Sequence, residues 1–312
     1  MDNESDTYEF LLVGFPGLPQ KYHTLVAVVM FTVYLISLFA NGAVIALIVW
    51  GKHLHQPMYI IIANLALSDL LFDTITLPKI IARYWFGAGS ISFFYCMFQL
   101  FCVHFLGSVD SYVIMMMAID RYVAICLPLR YSALITNKRI FYISGSLGIV
   151  VTLSPALTAI GYAQFPYCSS RKVNNCFCVS MAITPLACGD TLWLSKIIFI
   201  FALLVLLLPL FFIIFSYVAI IYTVCSSIAS GKRWKAIYTC TTHLFIIGMY
   251  YGPRLFVYTA FQLKFIFSLD ISVLLLFLYT FIPHMANPII YCLRAKEIRQ
   301  TAAKIFKLRF KN

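Results

Sequence analysis

A chain of 312 residues that is 62% hydrophobic, 17% aromatic and only 11% charged, with a mean hydropathy of +0.91, lies outside the composition of a soluble globular domain and needs a bilayer as its solvent. Its formal net charge of +12 would suit a nucleic-acid partner if Lys and Arg gathered on one polar face. They sit instead in short loops between apolar runs of spanning length, so no nucleic acid is expected and the charge reads as topology.

The first residues, Met1 to Glu9, are acidic, and the first apolar run is too long for a signal-peptide core, so that helix itself is expected to direct insertion. Asn3-Glu4-Ser5 is a glycosylation sequon, which matters only if the tail is extracellular. Spans are predicted near 24–50, 58–84, 93–126, 140–162, 192–227, 235–262 and 269–293. Each exceeds the roughly 20 residues that cross a hydrocarbon core, which predicts tilt or extension beyond the membrane. The fold class is therefore an all-α membrane protein, a seven-transmembrane helix bundle, whose termini lie on opposite sides. It divides into a tail (1–23), the bundle (24–293) and a final segment (294–312).

Orientation follows from the loop cations. Fifteen Lys and Arg residues fall on one side, seven of them after the last span, and four on the other, namely Lys21, Arg171, Lys172 and Lys264. The fifteen-residue side is cytoplasmic by the positive-inside rule, which puts Asn3 outside. From Ala295 to Phe310, Ile298, Ile305, Phe306 and Leu308 recur among basic residues, the pattern of a short amphipathic helix on an anionic leaflet.

That topology sorts the ten cysteines. Cys96, Cys168, Cys176, Cys178 and Cys188 face an oxidising compartment, while Cys102, Cys126, Cys225, Cys240 and Cys292 lie in helices or on the cytoplasmic side, where small buried thiols are ordinary. A zinc site on Cys176, Cys178 and Cys188 would lack any histidine in that loop, and the compartment favours disulfides. Spacing leaves the pairing open.

A small-molecule cavity is expected between helices in the outer half, mostly apolar with a few orienting polar groups. Helical spacing puts His104, Gly107, Ser108 and Ser111 on related turns of the third span and Tyr251, Arg254, Leu255 and Tyr258 on related turns of the sixth. Arg254 is the sharpest member, because an unpaired guanidinium inside an apolar span is costly and its fork suits a carboxylate, sulfate or phosphate. With help from His104 it would hold an anionic headgroup. The alternative is that Arg254 pairs with Asp110 or snorkels to the surface. Internal symmetry of the kind transporters show is not seen, and neither HExxH nor GxSxG occurs, so neither a transporter nor an enzyme is the favoured reading.

MAIDRYVAICLPLRY, from Met117 to Tyr131, puts Asp120-Arg121-Tyr122 at the end of a span and resembles the MAYDRYVAIC signature of vertebrate odorant receptors, rhodopsin-like G-protein-coupled receptors, with Ile119 in place of the usual Tyr. LHQPMY (Leu54 to Tyr59), Ser216-Tyr217, KAIYTCTTH (Lys235 to His243) and PHMANPIIYCLR (Pro283 to Arg294) resemble further motifs of that family, Tyr238 departing from its usual Ser. GFPGLPQKYH (Gly14 to His23) and Pro253 resemble its class I, or fish-like, branch.

The resemblance implies a receptor for a small odorant that activates a stimulatory heterotrimeric G protein and raises cyclic AMP, at the plasma membrane and in olfactory cilia. It implies disulfides Cys96 to Cys178 and Cys168 to Cys188, with Cys176 left over, bracing a lid. Arg121, released from Asp120, would meet Tyr217 and Tyr291 as the sixth helix moves outward, with Tyr122 and His243 in the same switch and Pro209 and Pro288 as hinges. Asp69 and Asp110 would face each other and hold a sodium ion or share a proton, with no other cofactor expected. The alternative reading of that pair is one protonated acid bonded to Asn41 or Ser68. Class I relatives hold acids through an Arg farther along the sixth helix, where this chain reads Phe261-Gln262-Leu263-Lys264, so that role is not carried over.

Overall fold

The computed structural model describes residues 9–168, 170–227, 230–262 and 267–309, with the side chains of 227, 230–239, 242, 258, 261–262, 293–294, 296 and 304–309 outside that description. Asn3 falls outside it, as does the side chain of Tyr258.

Long helices run along most of the chain: α1 His23–Trp50, α2 Pro57–Phe86, α3 Phe93–Cys126, α4 Asn137–Ala163, α5 Leu192–Ser227, α6 Ser230–Gln262, α7 Leu269–Arg294 and α8 Lys296–Arg309. Their ends follow local chemistry. Pro57 opens α2, where its missing N–H costs nothing, and Gly87 closes it in the left-handed region at φ 73°. Side-chain oxygens of Ser92, Thr136 and Ser268 cap α3, α4 and α7 by accepting from the third backbone N–H along.

Helices α1 to α5 and α7 are each long and apolar enough to cross a membrane, and α6 beside them completes the seven-helix bundle. At 34 residues α3 is about 51 Å long, well beyond a 30 Å hydrocarbon core. It packs against α2, α4, α5 and α6 and is the central strut. Leu204, Leu207, Leu208, Phe211 and Phe215 on α5, like Ile149 and Leu153 on α4, remain exposed, as lipid-facing side chains must in an exterior that is itself apolar.

Two apolar cores fill the bundle. One, around Phe10, Phe72, Phe177 and Phe281, lies at the end where the long loop between α4 and α5 folds back. The other, around Ile61, Met117, Tyr217 and Tyr291, lies at the end bearing Asp120 and Arg121. Between them runs a buried polar layer of Ser37, Asn41, Ser68, Asp69, Asp73, Asp110, His284 and Asn287.

A small sheet at the loop end was not anticipated. β1 (Glu9–Leu12) pairs antiparallel with β2 (Ser90–Ser92) and parallel with β3 (Lys172–Val173), in the order β2-β1-β3. Phe10 and Leu12 alternate inward onto the core. Beyond it, Gly14 turns at φ 76° so close to the Tyr84 ring that no β-carbon fits, and the Phe15 amide donates to the Tyr84 hydroxyl at 2.7 Å. The Gly17 amide donates to the Asp270 carboxylate at 3.0 and 3.1 Å, which ties this segment to α7.

Candidate functional site

At the end of α3, Arg121 Nε lies 3.9 Å from Asp120 Oδ2, an ion pair too long for a hydrogen bond. The other oxygen, Asp120 Oδ1, accepts from the Tyr131 hydroxyl at 2.8 Å. Burial and the Asp120 charge push the Tyr131 hydroxyl above its ordinary value. An Arg121 guanidinium N–H donates to the Met58 sulfur on α2. Tyr217 is buried with its hydroxyl unpartnered among the described residues, and the Tyr291 hydroxyl donates to Met117 Sδ at 3.3 Å. Tyr122 packs on the same core and His243 is half-buried on α6. The structure thus brings Tyr217, Tyr291 and Tyr122 to one apolar core beside an arginine held by two neighbours.

In the polar layer His284 sits among three carboxylates. Its Nδ1 is 2.7 Å from Asp73 Oδ1, and its Nε2 is 3.5 Å from Asp69 Oδ1 and 4.0 Å from Asp110 Oδ2. Asn287 Nδ2 donates to Asp69 Oδ2 at 3.1 Å, and Ser37 donates to Asp73. Asn41 bonds Ser37 and the His284 carbonyl, and Ser68 donates to the Leu106 carbonyl at 3.4 Å while also lying against the Asp110 carboxylate. Asp69 and Asp110 do face one space, but a ring nitrogen points into it.

In the half nearer the sheet, α3 and α6 are stitched together. The Tyr250 hydroxyl donates to the Gly107 carbonyl at 2.6 Å, and the Tyr251 hydroxyl lies 2.7 Å from Ser111 Oγ. Arg254 stacks on the Tyr250 ring, 3.7 Å from its centroid, with Tyr279 at 5.3 Å, and donates to the Tyr250 carbonyl at 2.9 Å. No ion pair within 4.0 Å joins Arg254 to Asp110 among the described residues, although the guanidinium is near enough to act on that carboxylate through its charge. His104 bonds Ser180 of the long loop at 2.7 Å, and its carbonyl accepts from Ser108, also at 2.7 Å. Among the described residues no bond links His104 to Arg254. Leu255 packs on the core that holds Tyr251.

The family model for olfactory receptors matches residues 30–309. Olfactory receptor 52K1 from Homo sapiens is 35% identical over 299 residues, which cover 96% of this chain and 95% of that one. Olfactory receptor 6Q1 from Homo sapiens is 31% identical, covering 99% and 97%, and olfactory receptor 1 from Rattus norvegicus is 32% identical, covering 97% and 96%. The chain belongs to the olfactory receptor family. It is accordingly a multi-pass membrane receptor of the G-protein-coupled class and not an enzyme.

Disulfides join Cys96 to Cys178 and Cys168 to Cys188 in this olfactory receptor, the first tying the start of α3 to the long loop. The Cys178 amide also donates to Gln99 Oε1 at 2.8 Å, so bridge and hydrogen bond fix the same strand of loop. Cys176 is a free, fully buried thiol that burial pushes up to about 12. Sequence reasoning missed Asp73, His284 and Tyr131. Asp69 and Asp73, four residues apart on α2, share a face, and that spacing was the one available signal.

Proposed function

We propose that the receptor binds a small odorant in the half of the bundle nearer the sheet and, by moving α6, activates a stimulatory heterotrimeric G protein and raises cyclic AMP. The observation that carries this reading is the pair of tyrosine links between α6 and α3. A ligand that competes for Ser111, Tyr251 or the Tyr250–Gly107 bond acts directly on the contact between those helices. Gly107 and Ser111 lie about 15–21 Å along α3 from Arg121, so a tilt at one end becomes a displacement at the other. Arg121, held by Asp120 and Met58, is the element that displacement releases, towards Tyr217 and Tyr291.

The odorant is an anion in this proposal, because Arg254 makes no contact with a carboxylate among the described residues and offers a guanidinium stacked on two tyrosines. His104 and Ser180 position the loop above it. The sheet-bearing face is extracellular on the loop charges, which leaves Asn3 available for glycosylation and puts the receptor in the plasma membrane, in olfactory cilia. GFPGLPQKYH and Pro253 support the class I branch.

The test is cyclic AMP in cells expressing the chain, challenged with acids and their matched alcohols, beside recordings of ion current and solute uptake. Arg254→Ala is expected to lower responses to acids at least tenfold and to spare alcohols. Equal loss for both would refute the anion, and current or uptake without cyclic AMP would refute the receptor mechanism.

A further inference from the structure

Two asparagines in the chain are followed, two places on, by a side chain that an N-glycosylating enzyme can grip. Asn3 precedes Ser5, and Asn174 precedes Cys176 in the triplet Asn174-Asn175-Cys176. In the second a thiol stands where a hydroxyl is usual, and as a weaker hydrogen-bonding group it serves that grip less well. On sequence alone the triplet is a poor candidate, and the fold is what selects it.

The chain leaving β3 keeps the alternation of a strand. The Val13 and Gly14 amides donate to the Val173 and Asn175 carbonyls at 2.9 and 3.1 Å, so the segment stays paired past the end of β3. Val173 and Asn175 are buried, at 0% and 7% exposure, and Asn174 between them stands exposed. Asn175 is used internally, its Oδ1 accepting from the Cys176 amide at 2.7 Å. Cys176 belongs to neither disulfide, so its thiol is not consumed. In the order β2-β1-β3, β3 is an outer strand, and a bulky group on Asn174 displaces no neighbour in the sheet.

We propose that Asn174, on the extracellular placement of the sheet given above, carries an N-linked oligosaccharide attached while the loop is still extended. In that transfer Asn174 Nδ2 displaces pyrophosphate from the anomeric carbon of an oligosaccharide carried on a polyprenyl lipid. An N–C bond forms, the C–O bond to pyrophosphate breaks, and the lipid pyrophosphate leaves with the amide proton. Burial sets the timing. In the folded receptor Cys176 is 1% exposed and out of an enzyme's reach, so transfer precedes closure of the loop, and receptors that fold first stay unmodified. Asn174 lies 11 residues after α4 and 18 before α5. An extended arm of that length carries it about 35 Å beyond the helix ends. Once the loop has folded, the sugar stands outside the edge strand, where it blocks pairing with a second chain.

The experiment uses the full-length receptor expressed in mammalian cells with Asn3→Gln, which leaves Asn174 as the remaining acceptor. Digestion with a peptide N-glycosidase is expected to speed part of the receptor on a denaturing gel by one oligosaccharide, and peptide mass spectrometry to place the released sugar at position 174. Adding Asn174→Gln or Cys176→Ala should abolish the shift, and Cys176→Thr should extend it to most of the molecules. No shift in Asn3→Gln, or a shift that survives Asn174→Gln, would overturn the proposal. Glycosylation of Asn3 in the single variant Asn174→Gln reports the orientation separately. Modification at Asn3 but not at Asn174 therefore sinks the thiol site alone, and modification at neither sinks the extracellular placement with it. Because the sugar is added before folding, a variant that misfolds still gives its answer.

Discussion

Removing one phenol oxygen at the arginine end should raise the resting output of the receptor. In Tyr131→Phe, Asp120 loses the hydroxyl that donates to it at 2.8 Å, while its 3.9 Å ion pair with Arg121 stays. A hydrogen bond to a charged group contributes about 1.5–3 kcal/mol, and because Tyr131 is only half-buried the lower figure, about 1.5 kcal/mol, applies. If the bond exists only while Asp120 and Arg121 are paired, its loss shifts the ratio of locked to released receptor by about tenfold. A population released about 1% of the time at rest would then be released about 10% of the time. The assay is agonist-free cyclic AMP at matched surface expression, with Asp120→Asn and the double variant completing a cycle. The double variant should add little to Asp120→Asn alone. Resting output at the wild-type level in Tyr131→Phe, or full additivity in the double variant, would refute the reasoning.

Replacing both Cys96 and Cys178 by Ser opens a loop of 82 residues, for which chain entropy gives a ceiling of about 4.5 kcal/mol, lowered because the bilayer already confines the helices between them. Thermal unfolding followed by a thiol-reactive dye, which reports buried Cys102 and Cys240 as they emerge, should show the loss, and an unchanged midpoint would contradict it. Cys176, raised by burial from 9.0 to about 12, contributes stability that is present below pH 9 and lost as the pH rises from 9 to about 12. Iodoacetamide at pH 8 should therefore label Cys176 only on unfolding, and labelling of the native receptor would count against that environment. Phe281→Ala empties a fully buried position packed on Phe72, Phe177 and Phe277. It should cost about 3 kcal/mol, the low end for such a truncation, because in a bilayer only packing is lost; nanodisc melting that matches wild type would argue against that core.

The helices were legible because a span must satisfy its own backbone in lipid, and so writes a long apolar run bounded by charge or turn residues. The third span is read over the same residues, Phe93 to Cys126, in sequence and structure, and the second differs by a residue or two at each end. The sheet was not legible, because β1 is four residues long and its partners lie roughly 80 and 160 residues away. Nothing local distinguishes Glu9–Leu12 from the rest of a tail. The polar layer was half legible. Asp69 and Asp110 stand out as acids in apolar spans, but His284 becomes their neighbour only through the packing of α7 against α2, which no periodicity encodes. Tyr131 likewise meets Asp120 only because the chain turns at Pro128 to Arg130.

The placement of bonds along α3 supports the proposed communication between the two ends of the receptor. Near the sheet, α6 is held to successive turns of α3 by Tyr250 on Gly107 and Tyr251 on Ser111, and the loop above is pinned to α3 by the Cys96–Cys178 bridge and by Ser180 on His104. At the far end, among the described residues, the contacts of Arg121 are a long ion pair and a methionine sulfur, and the buried Tyr217 hydroxyl has no partner. In the proposed mechanism the surroundings of Arg121 are what yields, because its contacts among the described residues are weaker than the tyrosine links near the sheet. On that proposal a small change in how α6 meets α3 near Arg254 is relieved by motion around Arg121, where the Tyr217 phenol, unpartnered among the described residues, can accept from a released guanidinium.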